Sequence, residues 1–163
     1  NGSVKDYAEG VKPISDGLVI DHICRGESEA EVRAHVARII QVLGLHGKGG
    51  EWISASRDEP GKMKGIIFRP GAAEPNISFI KQLAALAPGA TVNIIRNRQV
   101  VKKLRLHMPP RIYNFDSIGC RNSLCISNPV HGEGVPAEFL RISGSVYTCK
   151  YCEHPNSFKE IWK

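Results

Sequence analysis

At 163 residues the chain has room for one ordinary domain and one small one. Its hydrophobic content of 42% suffices for a packed core, yet no stretch approaches the roughly 20 apolar residues that a membrane span requires. The net charge of +6 raises nucleic acid as a partner, but the basic residues are not gathered into one run, and an aromatic content of 7% argues against a base-stacking platform.

In chain order, residues 1–15 are polar and mixed and predict a mobile arm. The chain starts at Asn1, without an initiating methionine, which suggests a fragment, a processed form or the tail of a longer polypeptide. The β-rich run from Gly17 to Cys24 predicts a first strand, with Cys24 buried at its end as a small apolar residue. Residues Glu27 to Leu45 place Val32, Val36, Ile39, Ile40 and Leu43 on one helical face, with Glu27, Glu29 and Glu31 near the positive end of the helix dipole. Gly44 and the Gly47-Lys48-Gly49-Gly50 run end that helix. Short strands follow at 51–56 and 63–69, separated by the turn Asp58-Glu59-Pro60-Gly61. A second helix over 76–87 directs Ile77, Ile80, Leu83, Ala84 and Ala87 inward and stops at Pro88-Gly89. Strands at 90–95 and 99–106 form a tight hairpin through Arg96-Asn97-Arg98, and the alternation in Gln99-Val100-Val101-Lys102-Lys103-Leu104-Arg105 gives the last strand a cationic face. Such a face suits a small polyanion as well as DNA, and it also protects a sheet edge from aggregation.

The resulting order, β-α-β-β-α-β-β, predicts an α+β fold: a ferredoxin-like split β-α-β sandwich with helices on one face of a mainly antiparallel sheet. The prolines of His107-Met108-Pro109-Pro110 mark the boundary and form a short hinge, dividing the chain into 1–106 and 107–163.

The second segment carries Cys120-x4-Cys125 and Cys149-x2-Cys152. Two close thiol pairs flanking a longer loop suit a tetrahedral zinc site with ligands Cys120, Cys125, Cys149 and Cys152. Four thiolates close the coordination shell, so the zinc would be structural rather than catalytic. Two disulfides are the alternative. Against them stand the odd fifth cysteine and the absence of a recognisable signal peptide. A module this small cannot readily bury enough core alone, so metal binding and folding are coupled.

Gly17-Leu18-Val19-Ile20-Asp21-His22-Ile23, Ala87-Pro88-Gly89-Ala90-Thr91-Val92-Asn93 and the Cys-x4-Cys…Cys-x2-Cys module occur in this order and together resemble the regulatory chain of aspartate carbamoyltransferase over roughly residues 11–163. The resemblance implies a non-catalytic chain. Residues 1–106 would bind nucleoside triphosphates (CTP, UTP or ATP, with or without Mg2+) and pair with a second regulatory chain. Residues 107–163 would dock on the catalytic chain, which performs carbamoyl transfer to aspartate in pyrimidine biosynthesis in the cytoplasm. By position, Asp21 and His22 match the family's effector-site pair, Asn93 and Lys103 match an asparagine and a phosphate-facing lysine, and Lys64, or alternatively Lys62, matches the first of two strand lysines. Val11 and Ile14 would line the base pocket, with Ile95 and Val100 as apolar walls. Asn122 matches a residue of the catalytic-chain interface.

The chain departs from the family at three places. Phe68 stands at the second strand lysine, Arg98 at a hairpin tyrosine and Leu124 at a second interface asparagine. Arg98 could compensate by bonding a base carbonyl or a phosphate. The departures leave open an assembly scaffold with a weakened or lost nucleotide response. A zinc-ribbon nucleic-acid binder is the third reading. An enzyme in its own right is not expected, because the chain has no glycine-rich phosphate loop followed by Lys-Ser/Thr, no nucleophile elbow and no open metal site.

Overall fold

A computed structural model describes residues 15–163 and divides the chain into two compact units, Asn1–His107 and Met108–Lys163. The expected arm, with Val11 and Ile14, lies outside the described residues except at its last position.

The first unit runs β1 (Gly17–Gly26), α1 (Glu29–Leu43), β2 (Gly50–Ala55), β3 (Met63–Pro70), α2 (Ile77–Leu86), β4 (Thr91–Arg96) and β5 (Gln99–Arg105). The sheet order is β2-β3-β1-β4-β5 and every neighbouring pair is antiparallel. This is the split β-α-β arrangement with one added edge strand. Helix α1 starts at a capping box in which Ser28 and Glu31 satisfy each other's backbone N–H groups, and it ends at Gly44 with φ +65°. Its buried residues Val32, Val36 and Ile39 face the sheet. There Gly65 of β3 permits close approach, since a Cβ on it would lie 2.5 Å from Val36 Cγ2. Ile20, Ile67 and Val92, all buried, occupy the same helix-covered face. At the far end of β3 the buried Arg69 ties the α1–β2 loop down, donating to the carbonyls of Leu45, Gly50 and Phe68 and to the Glu51 carboxylate.

Two expectations are corrected here. Ile77 is 70% exposed, because it is the first residue of α2, whereas Leu83 and Ala87 are buried as expected, together with Ala85 and Leu86. Cys24 is half-buried and not part of the core. Register shifts interrupt β1 between Ile20 and Ile23 and again before Gly26, and His22 and Cys24 take left-handed backbone (φ +58° and +44°), which rotates Cys24 out of simple alternation.

The helices meet where His35 of α1 donates from Nε2 to the Leu86 carbonyl at 2.5 Å. Burial holds the His35 pKa below its usual 6.5, although the Leu86 bond opposes the shift and Arg38 adds to it. A histidine kept neutral by the fold takes up its proton more readily when unfolded. Its stabilising contribution is therefore present above about pH 6.5 and is lost as pH falls through the lower, folded pKa. Replacing His35 by Gln, which keeps an N–H donor, should flatten the pH dependence of urea unfolding between pH 7.5 and 5.5 by up to ~1.4 kcal/mol per pH unit.

The second unit is a four-stranded antiparallel meander, β6 (Arg111–Tyr113), β7 (Glu138–Ser143), β8 (Val146–Cys149) and β9 (Pro155–Ser157), closed by the helical turn α3 (Phe158–Ile161). Its core contains Ile112, Phe139, Tyr147 and Ile161, all fully buried. Glu138 joins the start of β7 to β6 and to the second cysteine turn, through ion pairs with Arg111 and Lys150.

Candidate functional site

Strand alternation places two kinds of residue on the sheet face opposite α1. The first kind is apolar. Val19, Ile66, Phe68 and Ile95 form a buried cluster with Val100 packed against it. The second kind is polar and falls in rows across the strands: Asp21 opposite Thr91 opposite Arg105, then Asn93, beside Val19, opposite Lys103. Lys64 reaches this face from β3, with its Nζ 3.1 Å from Asp21 Oδ1. Lys62 pairs with Glu59 instead, so Lys64 is the strand lysine that belongs to the cluster. Lys102 points the other way, to Glu74, which leaves Lys103 as the β5 lysine on this face.

The sequence-expected residues Asp21, Lys64, Asn93, Ile95, Val100 and Lys103 thus share one surface. Asp21 and Asn93 are buried while Lys103 is exposed. Asp21 Oδ1 accepts from the His22 N–H at 2.6 Å as well as from Lys64, so it fixes both neighbours and keeps lone pairs for a hydroxyl donor. His22 Nδ1 is buried without a hydrogen bond among the described residues, and Asp21 Oδ2 lies 3.7 Å away, beyond bonding distance. Burial lowers the His22 pKa, only partly opposed by the Asp21 carboxylate, so the ring is neutral near pH 7. Arg98 sits at the tip of the β4–β5 hairpin. Asn97 and Arg98 have φ +51° and +62°, the two left-handed residues of a two-residue turn, and the Arg98 N–H donates to the Ser15 carbonyl at 2.8 Å. Thr91 and Arg105, which share the Asp21 row, were missed from sequence, and their strand pairing is the signal that would have found them.

In the second unit the four cysteine sulfurs lie within 4.8 Å of one another. The close contacts run between pairs: Cys120 to Cys152 and Cys125 to Cys149, each 3.6 Å. A disulfide needs about 2.05 Å, whereas a zinc ion bonded to thiolates at about 2.3 Å sets tetrahedral sulfurs about 3.8 Å apart, so the donor set fits a four-thiolate metal. Burial pushes the Cys120 thiol up to about 12 and also raises Cys149. At Cys152 burial is outweighed by hydrogen bonds from the His154 backbone, the Asn122 side chain and the neighbouring thiols, which bring it to about 7. A cation among the sulfurs favours the thiolate at every one of them.

The turns around the sulfurs are held by hydrogen bonds that sequence reasoning did not identify. Asn156, 1% exposed, accepts from the Arg121 N–H at 3.0 Å and donates to the His154 carbonyl at 2.8 Å, joining the first cysteine turn to the second. Ser127 Oγ lies 3.1 Å from Cys125 Sγ. An asparagine four residues beyond a Cys-x2-Cys pair is only a turn signal in sequence, with nothing to mark it as a brace. Asn122, expected to meet a partner, is half-exposed, and its Oδ1 accepts from the Leu124 N–H at 3.0 Å, which helps shape the turn. Leu124 itself is 82% exposed, and Val130 and Ile126 are 76% and 48% exposed nearby in sequence.

Two family models match the chain. The aspartate carbamoyltransferase regulatory chain allosteric domain matches residues 9–107, and the metal binding domain of the same regulatory chain matches residues 110–162. The chain belongs to the aspartate carbamoyltransferase regulatory chain family. That is a family of regulatory, not catalytic, chains. Protein PyrBI of Treponema denticola is 49% identical over 160 residues, and Protein PyrBI of Thermotoga maritima is 41% identical over 162 residues. These alignments cover 98% and 99% of this chain but 30% of each relative, so the chain spans less than a third of their length. The aspartate carbamoyltransferase regulatory chain of Korarchaeum cryptofilum is 32% identical over 146 residues, covering 87% of this chain and 86% of that protein. The metal-binding family and the four gathered sulfurs agree on the nature of the second unit.

Proposed function

We propose that this chain is the allosteric regulatory part of an aspartate carbamoyltransferase acting in cytoplasmic pyrimidine biosynthesis. Residues 1–106 bind nucleoside triphosphates and pair with a second regulatory chain, and residues 107–163 fold around structural zinc and dock on the catalytic chain. The observation that carries the nucleotide reading is the convergence of Asp21, Lys64, Asn93 and Lys103 beside the apolar cluster of Val19, Ile95 and Val100 on one sheet face. Carboxylate and amide groups suit ribose hydroxyls, the lysines suit phosphates, and the apolar residues suit a base. The buried, unmatched His22 Nδ1 supports the same reading, because a phosphate oxygen beside it would supply the missing partner once the ring is protonated. Binding would then take up a proton, so triphosphate affinity rises as pH falls from 8 to 6.

Titration calorimetry of the zinc-loaded chain with CTP, UTP and ATP, each with and without magnesium, tests this. Heat from at least one nucleotide, diminished when His22 is replaced by Ala, is the expected result. No binding in a folded sample leaves the scaffold reading, which a specific observation favours. Phe68 is 5% exposed inside the apolar cluster, at the position where the family resemblance places a lysine.

For docking, the segment around the first cysteine turn carries three exposed apolar residues, Leu124, Ile126 and Val130. A buried apolar anchor contributes most when it sits at the centre of an interface. Leu124→Asp should weaken association with a separately produced catalytic chain by about tenfold or more while zinc content stays unchanged, as followed by sedimentation. Equal affinity in the variant would move the interface away from this turn.

A further inference from the structure

The segment joining the two units is shorter than its sequence suggests. Leu106 belongs wholly to the first unit. It is buried, its N–H donates to the Ala90 carbonyl at 2.8 Å, and its own carbonyl accepts from the Gly89 N–H at 2.8 Å. Pro109 and Pro110 belong to the second. The Tyr147 hydroxyl donates to the Pro109 carbonyl at 2.6 Å, and the Arg141 N–H donates to the Pro110 carbonyl at 2.8 Å. Tyr147 is fully buried. Between these anchors only His107 and Met108 lack a backbone hydrogen bond among the described residues. Even there freedom is curtailed. The proline rings fix φ at about −65°, and Met108, preceding a proline, is kept extended.

We infer that Tyr147 is a positioning residue that, by holding the Pro109 carbonyl, confines the joint between the units to His107 and Met108 and so makes it stiff enough to transmit nucleotide occupancy to the docked catalytic chain. The transmission half of this inference rests on the regulatory function proposed above; the stiffness half does not. Coupling requires that a change in one unit bias the other, and each additional free residue in the joint adds conformations that dilute the bias. Losing the Tyr147 bond releases Pro109 and lengthens the joint, while the aromatic ring continues to fill the core.

Tyr147→Phe tests both halves. In the whole chain without nucleotide, 15N relaxation should show the second unit tumbling more independently of the first than in the wild type. In the assembled enzyme, nucleotide affinity and zinc content should be unchanged. The nucleotide-induced change in substrate half-saturation, about 5- to 150-fold for a typical allosteric pair, should fall toward 1. Insertion of two glycines between His107 and Met108, which leaves Tyr147 and the metal module intact, should reproduce both effects even if the phenylalanine variant folds poorly. Unchanged tumbling in both variants overturns the inference whatever the nucleotide does. Looser tumbling with a full nucleotide response overturns the transmission role. If the wild type itself shows no response, the regulatory reading fails, and the relaxation measurement alone decides the stiffness of the joint.

Discussion

Removing the metal is expected to unfold residues 108–163 while residues 15–107 keep their structure. The second unit is built from strands of three to six residues, and its fully buried aromatic and aliphatic side chains are few: Ile112, Phe139, Tyr147 and Ile161. Against that modest core stands the entropy of ordering the whole segment, at about 1–2 kcal/mol per residue for the backbone alone. Structural zinc sites of this ligand type supply on the order of 10–16 kcal/mol, which exceeds the net stability of most domains. Without a cation nothing bridges the gathered sulfurs, and burial keeps Cys120 and Cys149 as neutral thiols that attract little. Cys125→Ser should have the same consequence as a chelator, since Cys125 is buried and touches both Cys149 and Ser127. Hydrogen exchange of the whole chain reads the outcome by segment. Protection should vanish in β6 to β9 and persist in β1, β3 and β4. Full protection of β7 and β8 in a verified metal-free sample would show that the apolar core suffices and that the thiols are incidental.

The same contrast explains how much of the molecule was legible in the sequence. The first unit was readable because its elements carry their own periodicities. Alternation marked β5, and the spacing of Val32, Val36 and Ile39 marked α1. The antiparallel order followed from the split β-α-β connection. The errors fell where local geometry departs from period. Ile77 continues the apolar spacing of α2 but stands at its first turn, where nothing covers it. Cys24 follows a bulge, so counting along β1 no longer predicts its direction. For the candidate sites, residue types could be named but not their partners. Lys64 was the favoured strand lysine with Lys62 as an alternative, and the sequence did not show that Lys64 meets Asp21 while Lys62 meets Glu59. The spacing of the cysteines marked Asn122 as part of the turn but not that its side chain accepts from the Leu124 N–H. Asn156 and Tyr147 escaped notice because a single buried hydrogen bond leaves no repeat, spacing or charge pattern to detect.

Lys103→Glu is expected to abolish most triphosphate binding while leaving the fold and the docking of the metal module intact. The side chain is exposed on the edge strand β5, where Lys103 lies opposite Asn93 and on the face that carries Asp21 and Lys64. Exposure makes the substitution cheap for stability, because surface changes away from packed or paired groups stay within about 0.5 kcal/mol. For a polyanionic ligand it is severe. The variant loses a charge-assisted hydrogen bond of about 1.5–3 kcal/mol and adds a repelling carboxylate, so affinity should drop by roughly 30-fold to 1,000-fold. The loss should be largest for triphosphates and small for the free nucleoside, because only the phosphates meet the lysine. Calorimetry of the wild type and the variant with CTP and with cytidine separates the two. A uniform loss for both ligands would mean that the variant distorts β5 rather than removing a phosphate contact. Equal triphosphate affinity in the variant would remove Lys103 from the site and leave Lys64, already bound to Asp21, and Arg105 of the same face as the cations to test next.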